Sequence, residues 1–371
     1  MNNDLYCSLI HGGLELNFKG GQATAQHCCL RPGRFNIDPN TDFWKDPKFI
    51  PLRKLNDQNR WAPGCENCES VESIGLPSFR TGMNLGLSGS KGNLSGPTRI
   101  DLMFDISCNI ACRTCGTHSS TFWQKHLKQH NEWTTPISVG QNHSTVIAAL
   151  EQLDLSNLQM LVFSGGETLL GNSHWEVAKW LADHVPNAQQ QLTLCFQTNG
   201  TQPINPRNYE VIHKFRLVKL HLSLDGVGEQ FEYLRWPASW NQVVDNILEI
   251  RNSAPSNMMF HIEETVSIFN LYYTQRLESW AQKNFAINRE GDVVNHNKHV
   301  AHGTFALANC TQEYVNAMQQ SEYKNLIPKN WKENPSRISA MMDSIRKFDT
   351  FRSQSFAHTF PEVAKFYARY L

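Results

Sequence analysis

From residue 98 onward, apolar and polar positions alternate in short bursts, and stretches with helical spacing separate the bursts. In 191–199, Leu192, Leu194 and Phe196 fall on one side, and Gln191, Thr193, Cys195, Gln197 and Asn199 on the other. In 217–225, Val218, Leu220, Leu222 and Leu224 alternate with Lys219, His221, Ser223 and Asp225. In 259–268, Phe260, Ile262, Val266 and Ile268 alternate with His261, Glu263, Thr265 and Ser267, while Glu264 breaks the apolar side. A period of two marks a half-buried strand. The pattern predicts strands at 98–105, 159–164, 191–198, 217–225 and 258–268, with a weaker one near 285–294. It predicts helices at 118–131, 143–153, 173–184, 239–252 and 274–284. Strands that alternate with helices imply an α/β fold of parallel strands joined by crossover helices.

Parallel strands covered on both faces read as unbroken apolar runs. These strands carry one apolar and one polar face instead. A barrel whose lumen holds a polar ligand accounts for that pattern. An antiparallel sheet with one wet face is the alternative, and the interleaved helices weigh against it. The first 95 residues are rich in Gly, Pro and Asn with weak periodicity, so they read as a small loop-rich module that needs a staple. The run from Gly86 to Pro97 reads as a linker or a loop near the site. The tail, about 311–371, reads as helical. The division expected is 1–95, 96–300 and 301–371.

The chain has 371 residues, room for one large domain and a smaller one. Its formal net charge is zero, so there is no electrostatic case for nucleic acid or an anionic membrane as partner. Trp and Tyr are scattered and do not form a stacking platform for single strands. No stretch approaches the ~20 apolar residues of a membrane span. The start, Met-Asn-Asn-Asp-Leu-Tyr, lacks a signal peptide's basic and apolar regions, so a cytoplasmic protein is expected. Ten cysteines in a reducing compartment point to metal or catalysis over disulfides.

Cys108, Cys112 and Cys115 stand at C-x3-C-x2-C spacing. Three such thiolates can hold one face of a cubane iron–sulfur cluster and leave the fourth iron open to a small chelating molecule. A zinc site completed by a distant histidine such as His118 is the alternative. The triad follows the first strand of the barrel region, at the strand end where barrels build their ligand sites. Ser164-Gly165-Gly166-Glu167 ends the next strand, Gln197-Thr198-Asn199-Gly200 the third and Ser223-Leu224-Asp225-Gly226 the fourth. Asn270 follows the fifth, and Arg235, within Tyr233-Leu234-Arg235-Trp236-Pro237, suits a carboxylate clamp. Each ending alone is an ordinary turn. Four in sequence make a ligand rim.

The triad and its rims resemble the radical SAM superfamily across about 98–285, most strongly in Cys108–Trp123 and Asp225–Trp240. The resemblance implies a partial, six-stranded (β/α) TIM-like barrel with a [4Fe–4S] cluster on Cys108, Cys112 and Cys115. It implies S-adenosylmethionine on the open iron, with Ser164, Gly165, Gly166 and Glu167 at its methionyl amino group. Thr198, Asn199, Ser223 and Asp225 would meet its carboxylate and ribose, with Asn270 and Arg235 as fainter members. One departure stands out: many members carry an aromatic residue just before the third cysteine, and here it is Thr114. That puts in doubt the usual ring packing on the adenine.

Cys7, the pair Cys28-Cys29, and Cys65-x2-Cys68 form a second constellation, with Gly20 and Gly21 suited to a hairpin before the pair. It looks like the auxiliary-cluster module of SPASM/twitch radical SAM proteins, placed N-terminal to the barrel. That likeness implies a second [4Fe–4S] cluster on Cys7, Cys28, Cys65 and Cys68. Cys29 is then spare, and the choice between Cys28 and Cys29 is close to even. Four cysteines bind zinc equally well. Cys195 and Cys310 read as small apolar fillers, with a hydrogen-atom donor role as the rival.

The function these features imply is reductive cleavage of S-adenosylmethionine to a 5′-deoxyadenosyl radical, which takes a hydrogen atom from a peptide or protein. Crosslinking, epimerisation and oxidation are the outcomes such members produce. An external one-electron reductant of flavodoxin or ferredoxin type is implied as partner. A small polar metabolite or nucleoside is an alternative substrate, in view of Lys219, His221, His261 and Glu263. A non-catalytic zinc scaffold and a degenerate, non-turning-over fold are alternatives of other classes.

Overall fold

The structure, a computed structural model, describes residues 4–73, 77–87, 94–138, 140–285 and 295–371. Its chain divides into two compact units. The first comprises Met1–Ser107, Ser138–Gln197 and Ile204–Lys219, and the second Cys108–Ile137, Thr198–Pro203 and Leu220–Leu371.

The first unit opens on a hairpin, β1 (Gly13–Lys19) and β2 (Gln22–Gln26), followed by the short β3 (Phe35–Asn36). Gly20 and Gly21 turn it with φ of 59° and 80°, a region where residues with a Cβ are strained. Next come β4 (Arg99–Met103), β5 (Met160–Ser164) and β6 (Thr193–Thr198). The strand order is β3-β2-β1-β4-β5-β6. β1 pairs with β4, β4 with β5 and β5 with β6, all parallel, whereas β1–β2 and β2–β3 are antiparallel. The expected hairpin is therefore present. It also extends the parallel sheet, because Leu14, Leu16 and Phe18 alternate with Glu15, Asn17 and Lys19 and bury the apolar set. Helices Ile50–Asp57, Glu66–Ser73 and Phe79–Gly86 fill out the module that composition suggested was mostly loop.

β7 (Leu217–Ser223) begins in the first unit and ends in the second, which continues with β8 (Met258–Val266) and β9 (Asn295–Val300). β8 and β9 are parallel, in register from His261–Asn295 to Val266–Val300. β7 keeps the expected parity, with Val218, Leu220 and Leu222 buried, and Leu224 just beyond it buried too. Glu264, on the apolar side of β8, is also fully buried. It accepts from Thr274 Oγ1 (3.2 Å) and Asn270 Nδ2 (3.2 Å) and lies 3.0 Å from His296 Nε2. Burial raises its pKa above the usual carboxylate value. The weak strand expected near 285–294 falls, apart from Phe285, outside the described residues, as do residues 88–93 of the expected linker.

The tail is helical as expected. Its main helix, Pro335–Arg352, is capped by Asn334 Oδ1 on Arg337 N (3.1 Å). Ile338, Met341, Met342 and Ile345 make its buried stripe at i, i+3, i+4, i+7 spacing. They join Tyr233, Phe269, Phe356, Phe360 and Tyr367 in the core of the second unit. Cys310 is buried in that core, where burial pushes its thiol up to about 12. Cys195, on β6, is buried too. No helix among the described residues is long and apolar enough to cross a membrane.

Candidate cluster and cofactor sites

In the second unit the Cys108–Cys115 loop is pinned by backbone bonds at its middle. Ala111 N donates to Trp236 O and Arg113 N to Leu234 O, both at 2.7 Å. Trp123 Nε1 donates to Cys112 O (2.8 Å), Ser120 Oγ to Ile110 O (2.9 Å), and Cys108 N to Thr121 Oγ1 (3.1 Å). Ser120 also caps helix Thr121–Gln129, so one residue starts that helix and fixes the loop. Buried backbone groups are thus satisfied, and the loop holds its shape without relying on the thiols.

Polar side chains reach two of the three sulfurs, and the backbone of Gly116 meets the third, Cys115 Sγ, at 3.8 Å. Asn199 Nδ2 lies 3.9 Å from Cys108 Sγ and 3.2 Å from Asn109 Oδ1. Its Oδ1 accepts from Thr201 N (2.9 Å) and Thr201 Oγ1 (2.6 Å), and Asn109 Nδ2 donates to Thr201 Oγ1 (2.8 Å). The Thr198-Asn199-Gly200 ending is therefore knitted to the first cysteine. Thr198 Oγ1 accepts from Gly200 N (3.1 Å). Arg235 Nη1 lies 3.7 Å from Cys112 Sγ. Hydrogen bonds to cysteinyl sulfur are one of the protein's levers on an iron–sulfur centre.

Arg235 is buried, not a surface cation, and its Nη2 pairs with Asp225 Oδ2 at 2.9 Å. Burial works against its charge, but Asp225 and Cys112 outweigh burial and raise its pKa. Asp225 Oδ1 accepts from Thr265 N (2.8 Å). Asn270 Nδ2 donates to Asp225 O (3.0 Å), and Asn270 Oδ1 accepts from Ser267 N (2.7 Å) and Ser267 Oγ (2.9 Å). Asn270 thus reaches the rim through Asp225. Ser223 stands half-buried at the end of β7. Burial pushes the Cys112 thiol up to about 12, with Arg235 pulling the other way. Cys115 lies at an open surface position, yet enough protein surrounds its thiol that burial holds it near 12 as well. Such thiols ionise when a metal takes the proton's place. The donor set, soft sulfur with N–H groups turned toward it, fits a [4Fe–4S] cluster.

In the first unit the loop after β5 lies directly against the residues that precede Cys108. Gly166 N donates to Asp105 O (3.0 Å) and Glu167 N to Ser107 O (2.8 Å). A Cβ on Gly166 would stand 2.0 Å from Ser107 O, and Gly165 adopts φ 115°. Both glycines are therefore required by the close approach of the two loops. Ser164 Oγ approaches Leu102 O (3.5 Å), and Glu167, buried, caps Leu169 N through Oε1 (2.9 Å).

The first unit also brings Cys7, Cys28, Cys65 and Cys68 onto the wall of one apolar cavity, together with Arg31 and Arg80. Cys29 is not on that wall. Burial pushes the Cys7 thiol up to about 11. Arg80 pairs with Glu72 at 2.5 Å. Among the described residues, no three His, Cys, Asp or Glu side chains form a ready site for a single metal ion.

Sequence reasoning missed the residues that brace the triad from far along the chain. Arg113, between the second and third cysteines, is buried and pairs with Asp349 Oδ1 at 2.5 Å. Its guanidinium lies 3.8 Å from the Tyr233 ring centroid, and Tyr233 Oη donates to Asp349 Oδ1 (2.8 Å). Thr114, at the departure noted above, lines a cavity of about 320 Å³ with Thr117, His302, Thr304 and Ser344.

No protein-family model matches the chain. No curated protein matches it either. Among solved structures it is similar to "Native anSMEcpe with bound AdoMet", at 15% identity over 69% of this chain and 62% of that one, with a TM-score of 0.39. It is similar to Streptococcus suis SuiB bound to precursor peptide SuiA, at 11% identity over 89% and 70%, with a TM-score of 0.40. SuiB bound to S-adenosylmethionine gives 10% identity over 94% and 74%, with a TM-score of 0.38. The chain thus spans 62% of the length of the first of these proteins. Likeness at this level does not set an activity.

Proposed function

We propose that this chain is a radical SAM enzyme. The observation that carries the reading is the sulfur loop with its polar neighbours. Cys108 is met by Asn199 and Cys112 by Arg235, and Asp225 pairs with Arg235, all at strand ends or in the segment that follows one. Cys108, Cys112 and Cys115 hold the cluster, and Ser164, Gly165, Gly166, Glu167, Thr198, Asn199, Ser223 and Asp225 receive S-adenosylmethionine. Arg235 and Asn270 fix Asp225. When bound, the reduced cluster and S-adenosylmethionine supply a 5′-deoxyadenosyl radical that takes a hydrogen atom from the substrate. The protein's own part is to orient these groups and keep water and competing reactions out.

The same reading takes the sheet as a partial (β/α)6 barrel over 96–300, with 1–95 as an auxiliary module and 301–371 as a helical extension. Cys7, Cys28, Cys65 and Cys68 hold a second [4Fe–4S] cluster, supported by their shared cavity and by Arg31 and Arg80, which offset the charge of four thiolates. The substrate is a peptide or protein, and a flavodoxin- or ferredoxin-type reductant supplies electrons in the cytoplasm. A small polar metabolite is the second reading, favoured by His221, Glu263 and His261. Glu263 Oε1 sits 2.7 Å from His221 Nδ1, and the His221 and His261 rings stack at 4.9 Å.

The test is iron and sulfide content with low-temperature EPR, with and without S-adenosylmethionine, in wild type and in a variant with Ala at 108, 112 and 115. About eight irons falling to about four, with a reduced-cluster signal that S-adenosylmethionine perturbs in wild type alone, supports the reading. Zinc without iron after anaerobic reconstitution would sink it.

A further inference from the structure

Three guanidiniums of the second unit serve the residues around the Cys108–Cys115 loop, and they differ in one respect. Arg113 faces Asp349, and Arg235 faces Asp225. Arg352, in the last turn of helix Pro335–Arg352, makes no direct ion pair among the described residues, and Asp349, the carboxylate that acts on it, is already paired with Arg113. It is 6% exposed, and its Nη1 and Nη2 have no hydrogen-bond partner. Its Nε donates to His126 Nε2 at 3.4 Å, so that histidine is neutral. Aromatic rings box the charge: Trp123 at 4.6 Å, Trp236 at 5.2 Å and Phe348 at 5.3 Å from the guanidinium carbon.

Two of those rings belong to the residues that hold the sulfur loop. Trp123 Nε1 donates to Cys112 O, and Trp236 O accepts from Ala111 N. The cation therefore lies behind the loop, screened from water by the rings of two residues that fix it. Burial pulls the Arg352 pKa down to about 9, which leaves it charged at neutral pH, and its charge is felt at Cys112. A buried unpaired cation costs stability unless it is offset. Cation–π contact and the helix C-terminus offset only part of that cost.

We propose that Arg352 is a positioning residue for charge: its guanidinium, held in no direct ion pair, raises the reduction potential of the cluster held by Cys108, Cys112 and Cys115. The inference rests on the cluster reading above. One-electron reduction adds a negative charge to the cluster, and a fixed cation in a low-dielectric surround favours the more negative state. Arg113 shares its charge with Asp349, and Arg235, which touches Cys112 Sγ, shares its own with Asp225.

The test is an EPR-monitored redox titration of anaerobically reconstituted protein: wild type, Arg352→Met, Arg352→Gln, Arg352→Lys and Phe348→Leu. The two neutral variants remove an unpaired buried charge and are expected to fold and load iron. Their midpoint should move negative by about 59 mV for a tenfold shift in the one-electron equilibrium. Arg352→Lys should restore the wild-type value, and Phe348→Leu, which disturbs the box but keeps the charge, should leave it unmoved. Any other pattern overturns the inference, including an equal shift in Phe348→Leu, the mark of a merely structural role. A reduced-cluster signal missing from wild type would be the separate failure of the cluster reading and would take this inference with it.

Discussion

Arg235 Nη2 lies 2.9 Å from Asp225 Oδ2, with both side chains buried. Breaking such a pair leaves one charge stranded in a dry site, at a cost of about 3–5 kcal/mol. Asp225→Asn should lower unfolding free energy by about that amount in chemical denaturation. Asp225→Asn combined with Arg235→Met should recover much of the loss, because no unpaired charge is left. A single variant as stable as wild type would show that the pair is not desolvated.

Cys28 and Cys29 are adjacent, yet only Cys28 is on the wall of the cavity shared with Cys7, Cys65 and Cys68. Cys28→Ala should lose about four irons per chain after reconstitution, and Cys29→Ala should keep them. Iron analysis of the two variants decides, and the reverse result would exchange their roles.

Gly166 has no room for a side chain, since a Cβ would meet Ser107 O at 2.0 Å. Gly166→Ala must push the two loops apart. A loss of about 1–3 kcal/mol in thermal or chemical unfolding is expected. Gly82, whose Cβ would meet nothing within 4 Å and whose φ is not positive, is the control for effects other than crowding.

Glu263 accepts from Asn297 Nδ2 (2.8 Å) and lies within 2.7 Å of His221 Nδ1 and 2.5 Å of His299 Nε2. Burial opposes its charge, but the bonds from His221 and His299 prevail, and its pKa lies well below the ordinary 4.5. A carboxylate with a depressed folded pKa contributes stability above its unfolded pKa and loses it as pH falls toward the folded one. Glu263→Gln should therefore be less stable than wild type at neutral pH, with the gap closing as pH drops below about 4.5. Denaturation of both proteins across pH 3–8 checks the sign, and a gap that widens in acid would refute it.

The strands after residue 98 were legible because alternation is local. Val218, Leu220 and Leu222 announce β7 to any reader of period two, and each expected helix fell within a few residues of its place. β1 carries the same signal in Leu14, Leu16 and Phe18, but the Gly- and Asn-rich surroundings obscured it. The cysteine spacing and rim motifs were equally local. Arg235 was only half legible, since nothing in its own segment tells that Asp225, ten residues back, buries with it. Asp349 and Arg352 were not legible at all. Their roles depend on Arg113 and Trp123, far earlier in the chain, and no short-range pattern records such a meeting.

The Arg113–Asp349 pair spans 236 positions, and its consequence is one of timing. At ~5–20 residues per second, a ribosome needs roughly 10–50 s to reach the second partner after making the first. Through that interval the three thiols exist on a nascent chain without the brace that shapes their loop. On the proposed cluster reading, iron delivery to Cys108, Cys112 and Cys115 is then an event that follows synthesis, and the emerging chain has to be kept reduced while it waits.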